Sequence, residues 1–317
     1  MTDTLDSYSL VAIYSAMGVY TLAFVMFALD LAKRSARVPA VAEARRGQLT
    51  NAAGIITTLT HGDRDSAPKA RYKFERIAFA LVVLGWVLHV AGAVLRGVAQ
   101  GFVPWANMFE FSLTSSAVVV GVFIAIQRWH DLKFLGVYIT GFALITLGVG
   151  TVNFYVPVKP LPPVLDSYWL VIHVFVASLG TGFFAIGAGL SLAQLLQAGR
   201  EAGRKSLALL KTLPNAIKLE NLAYQVTVVG FVFWTFTLIA GSIWAERSWG
   251  RYWGWDTKEV WTFIIWVTYA GYIHARATRG WRGARSSWLA IVGFSAVMFN
   301  YTVVNLLFKG LHSYSGL

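Results

Sequence analysis

Residues Trp244–Trp266 read W-A-E-R-S-W-G-R-Y-W-G-W-D-T-K-E-V-W-T-F-I-I-W. The stretch holds six of the chain's 13 tryptophans, with Trp234 just upstream. Apolar runs of membrane-spanning length lie on either side, so it is read as a hinge between two spans at a membrane surface. So many indoles beside polar residues build an aromatic platform suited to a large flat apolar ligand with a few polar edges. The alternative is an aromatic belt, since Trp and Tyr collect at the headgroup level of membrane proteins. A belt does not require W-G-x-Y-W-x-W-D.

Working outward, the 317 residues are 56% hydrophobic and 13% charged. That charge content is about half the share usual for a soluble domain. Eight runs are long enough to cross a bilayer: about 8–32, 76–98, 108–127, 134–152, 168–196, 223–244, 259–277 and 286–308. The expected fold is an all-α polytopic membrane helical bundle of about eight transmembrane helices, forming one domain over 1–317. The first run follows an acidic N-terminus, Met1-Thr2-Asp3-Thr4-Leu5-Asp6, and is read as a retained helix, not a cleaved leader. Without cysteine the chain carries no disulfide, thiol chemistry or thiolate metal site.

The net charge of +12 invites a nucleic-acid reading, but the basic residues flank apolar spans as topology signals do. Of the 27 lysines and arginines, all but Arg96, Lys159, Arg247, Arg251, Lys258 and Lys309 fall in one set of loops. The positive-inside rule makes that set cytoplasmic. Both termini and the Trp-rich loop, 245–258, are then extracytoplasmic. The basic segment 33–75 is expected to be a long, partly mobile cytoplasmic loop.

Six histidines punctuate the chain. His61 and His130 fall in loops and are read as solvated. His173, just inside the fifth span, and His312, after the eighth, fall at the outer surface level with the Trp-rich loop. Two neutral imidazoles there can supply both axial ligands of a haem iron, or each can serve a headgroup or a carbonyl. His274 lies near the cytoplasmic end of the seventh span and His89 near the middle of the second. An ionisable group inside a span is a functional candidate, although bonding across helices is a common fate for one. Asp256 and Glu259 stand at the N-cap and N3 positions of a capping box opening the seventh span.

Taken together, these residues resemble a known family. Trp249-Gly250-Arg251-Tyr252-Trp253-Gly254-Trp255-Asp256-Thr257-Lys258-Glu259-Val260-Trp261 is similar to the WWD motif of the haem-handling proteins of cytochrome c biogenesis. Its continuation and Tyr272-Ile273-His274-Ala275-Arg276 resemble the CcsA (ResC) branch of system II. Trp169-Leu170-Val171-Ile172-His173-Val174 and Gly310-Leu311-His312-Ser313-Tyr314 are similar to segments carrying that family's two external histidines. Pro104-Trp105-Ala106-Asn107-Met108-Phe109-Glu110 resembles its P-x-x-N-x-[YF]-E segment. The likeness runs from about residue 85 to 314. It departs at Thr257, where the family has proline, and leaves the basic segment 33–75 outside.

The resemblance implies a multi-pass protein of the plasma (inner) membrane that carries haem b across and presents it on the outer face. There the thiols of a Cys-x-x-Cys-His apocytochrome c add to the haem vinyl groups, a holocytochrome c synthase (haem lyase) activity. It implies His173 and His312 as catalytic axial ligands and His274 as an inner ligand. The haem-binding loop would comprise Trp249, Gly250, Tyr252, Trp253, Trp255, Asp256, Lys258, Glu259 and Trp261, with Arg251 and Lys258 as candidate propionate contacts. Its implied partners are a CcsB/ResB-type membrane protein, which supplies the second inner ligand, apocytochrome c and thiol-reducing proteins. His89 is an alternative inner ligand within the chain.

Three rival readings stay open. The first is a haem exporter or chaperone that performs no attachment. The second is a b-type redox subunit, against which the four candidate histidines on four different spans argue. The third is a structural protein with a heavy aromatic girdle.

Overall fold

The computed structural model describes residues 2–51, 73–159, 161, 165–204, 210–278 and 280–312. His61, residues 52–72 and Ser313–Leu317 lie outside them. Eight long helices make up the described chain: α1 (Thr2–Asn51), α2 (Lys73–Gln100), α3 (Met108–Ile126), α4 (Gly136–Asn153), α5 (Tyr168–Glu201), α6 (Ala216–Trp249), α7 (Thr257–Ala277) and α8 (Ala284–Phe299). A 3-10 turn, Lys133–Leu135, leads into α4. A π-helical turn, Asn300–Val304, and a last turn, Asn305–Leu307, extend α8. The all-α bundle and its eight elements match the sequence reading.

Seven of these helices are long and apolar enough to cross a membrane. α7 is not among them. At 21 residues it has the length, but Trp261, Trp266, Tyr269, Tyr272 and several threonines dilute its apolar character. The segment 33–75 corrects the sequence reading in part. α1 runs on as helix to Asn51 and α2 begins at Lys73, so residues 33–51 and 73–75 are helical.

Side-chain caps fix where the helices begin. The Asn107, Ser167 and Asn215 side chains accept from the backbone N–H of Glu110, Trp169 and Lys218, opening α3, α5 and α6. α1 packs chiefly on α2, and α5 on α6, with α3, α4 and α8 completing the bundle. Large apolar side chains such as Val94, Phe236, Ile239 and Val292 stay on the outside. Charged and polar groups gather within, as the bilayer demands.

Two polar nodes pin the ends of the bundle. At the end carrying the Trp-rich loop, Arg96 of α2 is fully buried. It donates to Asp6 of α1 at 2.6 Å, to Glu110 of α3 at 3.0 Å and to the Val156 carbonyl at 2.6 Å. The other carboxylate oxygen of Glu110 accepts from the Ala106 N–H at 3.0 Å, so the node holds the Trp105–Met108 turn. At the opposite end Arg276 of α7 pairs with Glu220 of α6 at 2.8 Å and donates to Asn221 at 2.7 Å. His89 sits buried between α1, α2 and α3, with Nδ1 against the Tyr20 hydroxyl at 3.3 Å and Nε2 donating to the Leu113 carbonyl at 2.9 Å. Both ring nitrogens are occupied, which leaves it no lone pair for a metal.

Candidate functional site: two histidines under a tryptophan-rich loop

α6 has 34 residues, about 51 Å at 1.5 Å per residue, and outreaches a ~30 Å hydrocarbon core. Its last turns carry Trp244 and Trp249 to the bundle end. The helix stops at Gly250 in left-handed conformation (φ 68°), whose N–H bonds the Glu246 carbonyl at 2.8 Å. Glu259 then gathers the loop. One oxygen accepts from the backbone N–H of Gly254 at 2.9 Å and of Asp256 at 3.0 Å. The Asp256 side chain caps α7 in return, so the expected capping box is present. Trp255 holds a positive φ of 60°, a conformation costly for a bulky residue, and its ring is 77% exposed.

His173 of α5 and His312 of the segment after α8 meet at this loop, lining one cavity of about 170 Å³. Trp244 links them: it stacks on His173 (centroids 6.1 Å, 14°) and meets His312 edge-on at 5.6 Å, while Trp249 meets His312 at 4.8 Å. His173 Nδ1–H donates to the Thr237 carbonyl of α6 at 3.0 Å. His312 Nδ1–H donates to the Asp256 carboxylate at 2.8 Å, and Asp256 also accepts from the Leu311 N–H at 3.1 Å. Carbonyl and carboxylate can only accept, so each bond selects the tautomer with an unprotonated Nε2. Both imidazoles thus offer a metal-ligating lone pair from rings oriented by outer partners, the arrangement that metal-binding histidines use.

Close approach enforces this geometry at two glycines. A Cβ on Gly241 of α6 would stand 2.7 Å from His173 Cε1. A Cβ on Gly310 would run into the Asp256 carboxylate. Burial lowers the pKa of His312 below its usual value, with Asp256 opposing the shift, so the ring is neutral at physiological pH. The His312 hydrogen bond is in turn the largest cause holding the Asp256 carboxyl below its ordinary range.

The cavity's lining is mixed: Trp105, Met108, Phe111, Leu165, Leu170, Val174 and Trp244 are apolar, and Lys258, Thr262, Asn300, Tyr301 and Asn305 are polar. A second recess, lined by the same histidines and by Gly241, Ser242, Tyr252, Trp253 and Glu259, opens between α6 and α7. The donor set fits a bis-imidazole iron. The volume is below the roughly 300–1,000 Å³ of a cofactor-sized site. Seating a porphyrin therefore requires the walls to part.

The residues expected in the site do not all converge. His173, His312, Asp256, Lys258, Glu259, Tyr252 and Trp253 surround the two recesses or the Asp256 contact. Trp261 instead packs on Phe299 at 4.3 Å, below the loop. Trp255 turns outward. Arg251 lies over Gly254, 3.9 Å from Glu259, and lines neither recess. His274 is exposed near the opposite end of α7, while Tyr272 and Arg276 on the same helix are buried. His130 is half-buried in the α3–α4 turn. The sequence reading missed Thr237, Asn300, Tyr301 and Asn305. The last three carried a signal, as amide and hydroxyl groups set into an otherwise apolar span.

A polytopic helical membrane protein with paired, oriented histidines beneath a tryptophan-rich loop is the class that fold and site define. Residues 105–312 match the family of cytochrome c assembly proteins, and the chain belongs to that family. Its relatives carry the name cytochrome c biogenesis protein CcsA. The one from Prochlorococcus marinus is 32% identical over 262 residues, covering 74% of this chain and 82% of that protein. The one from Guillardia theta is 32% identical over 240 residues, covering 70% and 80%. The one from Chlorella vulgaris is 32% identical over 254 residues, covering 70% and 80%. Among solved structures the cytochrome c haem lyase CcmF shares the fold, with a TM-score of 0.65 at 16% identity, over 98% of this chain and 48% of that one. The role of the chain is thus in cytochrome c biogenesis, as a multi-pass membrane protein of the CcsA type.

Proposed function

We propose that the chain holds haem b between His173 and His312 on the extracytoplasmic face and presents it for attachment to apocytochrome c. The observation that carries this reading is the pair of Nδ1-anchored imidazoles on one cavity, each with Nε2 free to ligate. Two axial nitrogens fill both faces of the iron and keep other ligands away. The protein contributes position. Each substrate thiol adds across a vinyl double bond: a C–S bond forms at one carbon, the thiol proton ends on the other, and no electrons are left over. Holding thiol and vinyl together can supply ~7–11 kcal/mol of the barrier. The substrate's own histidine replaces one protein ligand, and His312, on a segment outside the helices, is the one placed to leave.

His274 serves an inner site near the cytoplasmic leaflet. Its outward-facing position suits a second ligand from a CcsB/ResB-type partner, and His89, with both nitrogens engaged, is not that ligand. The test is the absorption spectrum of the protein purified with its partner, beside His173→Gly and His312→Gly. A low-spin bis-histidine spectrum, lost in each variant and restored by imidazole, is expected. A haem signal indifferent to both substitutions would sink the assignment. Covalent haem on a co-expressed Cys-x-x-Cys-His protein separates attachment from mere export.

A further inference from the structure

We propose that haem reaches the histidine cavity sideways from the lipid, through an apolar groove between α2, α3 and α5, and that Trp105 is the gate between groove and cavity. The inference rests on the reading of the cavity as the haem site, and adds to it a second binding place and a direction of entry.

The groove holds about 960 Å³, against about 170 Å³ in the cavity. A cofactor-sized site takes roughly 300–1,000 Å³, so the groove has the room for a porphyrin that the closed cavity lacks. The aromatic rings of Trp86, Phe102, Trp105 and Phe175 line it among valines and alanines, a surface suited to a flat apolar macrocycle. Its rim is open to lipid: Val94 and Val98 of α2 are 57% and 63% exposed. A membrane helix of another chain is the competing occupant, since Ala93, Gly97 and Gly101 after one another at four-residue spacing, and Ala117, Gly121 and Ala125 likewise, line the groove. The glycines of that pattern are already in use. A Cβ on Gly97 would stand 3.1 Å from the Phe102 carbonyl oxygen, and one on Gly121 3.2 Å from Trp86 Nε1, so this chain's own turn and indole fill the space they leave. Gly101 holds a φ of 83°, which the turn after α2 requires.

Among the described residues Trp105 alone lines both groove and cavity. Its neighbours in the chain are fixed. Thr114 Oγ1 donates to the Pro104 carbonyl, and the Ala106 N–H donates to Glu110 at 3.0 Å. The half-buried indole between them makes no hydrogen bond or ring contact among the described residues, so it can change rotamer without moving either anchor. The way along the bundle axis is closed instead. Three residues beyond Thr181, where the α5 lining of the cavity ends, Phe184 stacks on Tyr269 (centroids 3.6 Å) and meets Trp234 at 5.8 Å. None of these three side chains is more than 5% exposed.

The test follows the Soret band as the full chain with its partner subunit, in phosphatidylcholine vesicles, takes up haem preloaded into the lipid. Val94→Trp and Val98→Trp fill the groove from exposed positions. Each should reach the native bis-histidine spectrum, which reports a folded site, but at least about tenfold more slowly, as a barrier raised by ~1.4 kcal/mol requires. Trp105→Ala should speed both uptake and escape of haem. Native uptake rates in both filled variants overturn the inference while leaving the histidine site standing, and so do native rates in Trp105→Ala. Loss of the partner subunit from both filled variants makes the groove a helix seat and overturns it too. Absence of any His173- and His312-dependent spectrum in the native protein overturns the site reading and this inference together.

Discussion

Asp256→Asn is the sharpest perturbation of the paired-histidine site, because the structure divides the work of that carboxylate into parts. As N-cap of α7 it accepts from the Lys258 N–H, and asparagine caps as well as aspartate. With the amide oxygen in the place of Oδ2, the cap and the His312 contact keep an acceptor, while the Leu311 N–H, held by Oδ1, loses its own. The charge behind His312 Nδ1, at 2.8 Å, disappears as well. Charge-assisted bonds are about twice as strong as neutral ones, and losing such an outer partner of a metal-ligating histidine costs about 10–100-fold in affinity, roughly 1.4–2.8 kcal/mol. The expected result is a folded protein whose haem affinity falls by that factor. Asp256→Ala should lose about 1 kcal/mol of cap stability besides, and release the His312 segment. Haem titration at the Soret band, with thermal unfolding followed by tryptophan fluorescence, separates the two effects. Native affinity in Asp256→Asn would refute the reasoning, as would an unfolding temperature for it as low as that of Asp256→Ala.

Three further outcomes are expected. Arg96→Met strands Asp6 and Glu110 and should destabilise the protein by about 3–5 kcal/mol, with much of the loss recovered when both carboxylates are also neutralised, as thermal unfolding will show. Gly241→Ala drives a methyl into His173 and should turn a low-spin spectrum high-spin, at a stability cost of about 1–3 kcal/mol measured in parallel. His274→Gly should leave the spectrum of the outer site intact and remove only haem bound at the inner one, which quantitation of haem per complex in the His173→Gly background will reveal.

The helices were legible because a bilayer demands about 20 apolar residues per crossing, a pattern that survives without any knowledge of packing. The capping box was legible because it is local, spanning Asp256 to Glu259. Long-range partners were not. Thr237 orients His173 through its carbonyl, which every residue type owns, so no side chain announces it. Arg96 reads as a charge at a span's end and Glu110 as part of a short motif, and only the packed bundle shows Arg96 bridging Glu110 and Asp6. Asn300 and Asn305 could be seen as polar intruders, but the π turn that brings them to one face has no sequence signature here. The extension of α1 to Asn51 was missed because good helix formers such as Ala, Glu, Arg and Gln give no apolar stripe to follow.

The two imidazoles are backed unequally: His312 by a carboxylate, His173 by a peptide carbonyl. A carboxylate draws the Nδ1 proton harder, gives the ring imidazolate character and makes it the stronger electron donor. An iron held between them is pushed from one side, and electron-rich axial ligation favours the ferric over the ferrous state. On the proposed ligation, the residue that caps α7 would therefore also lower the midpoint potential of the iron. Letting go of His312 would release that hold, so ligand exchange and readiness to accept an electron are coupled through one hydrogen bond.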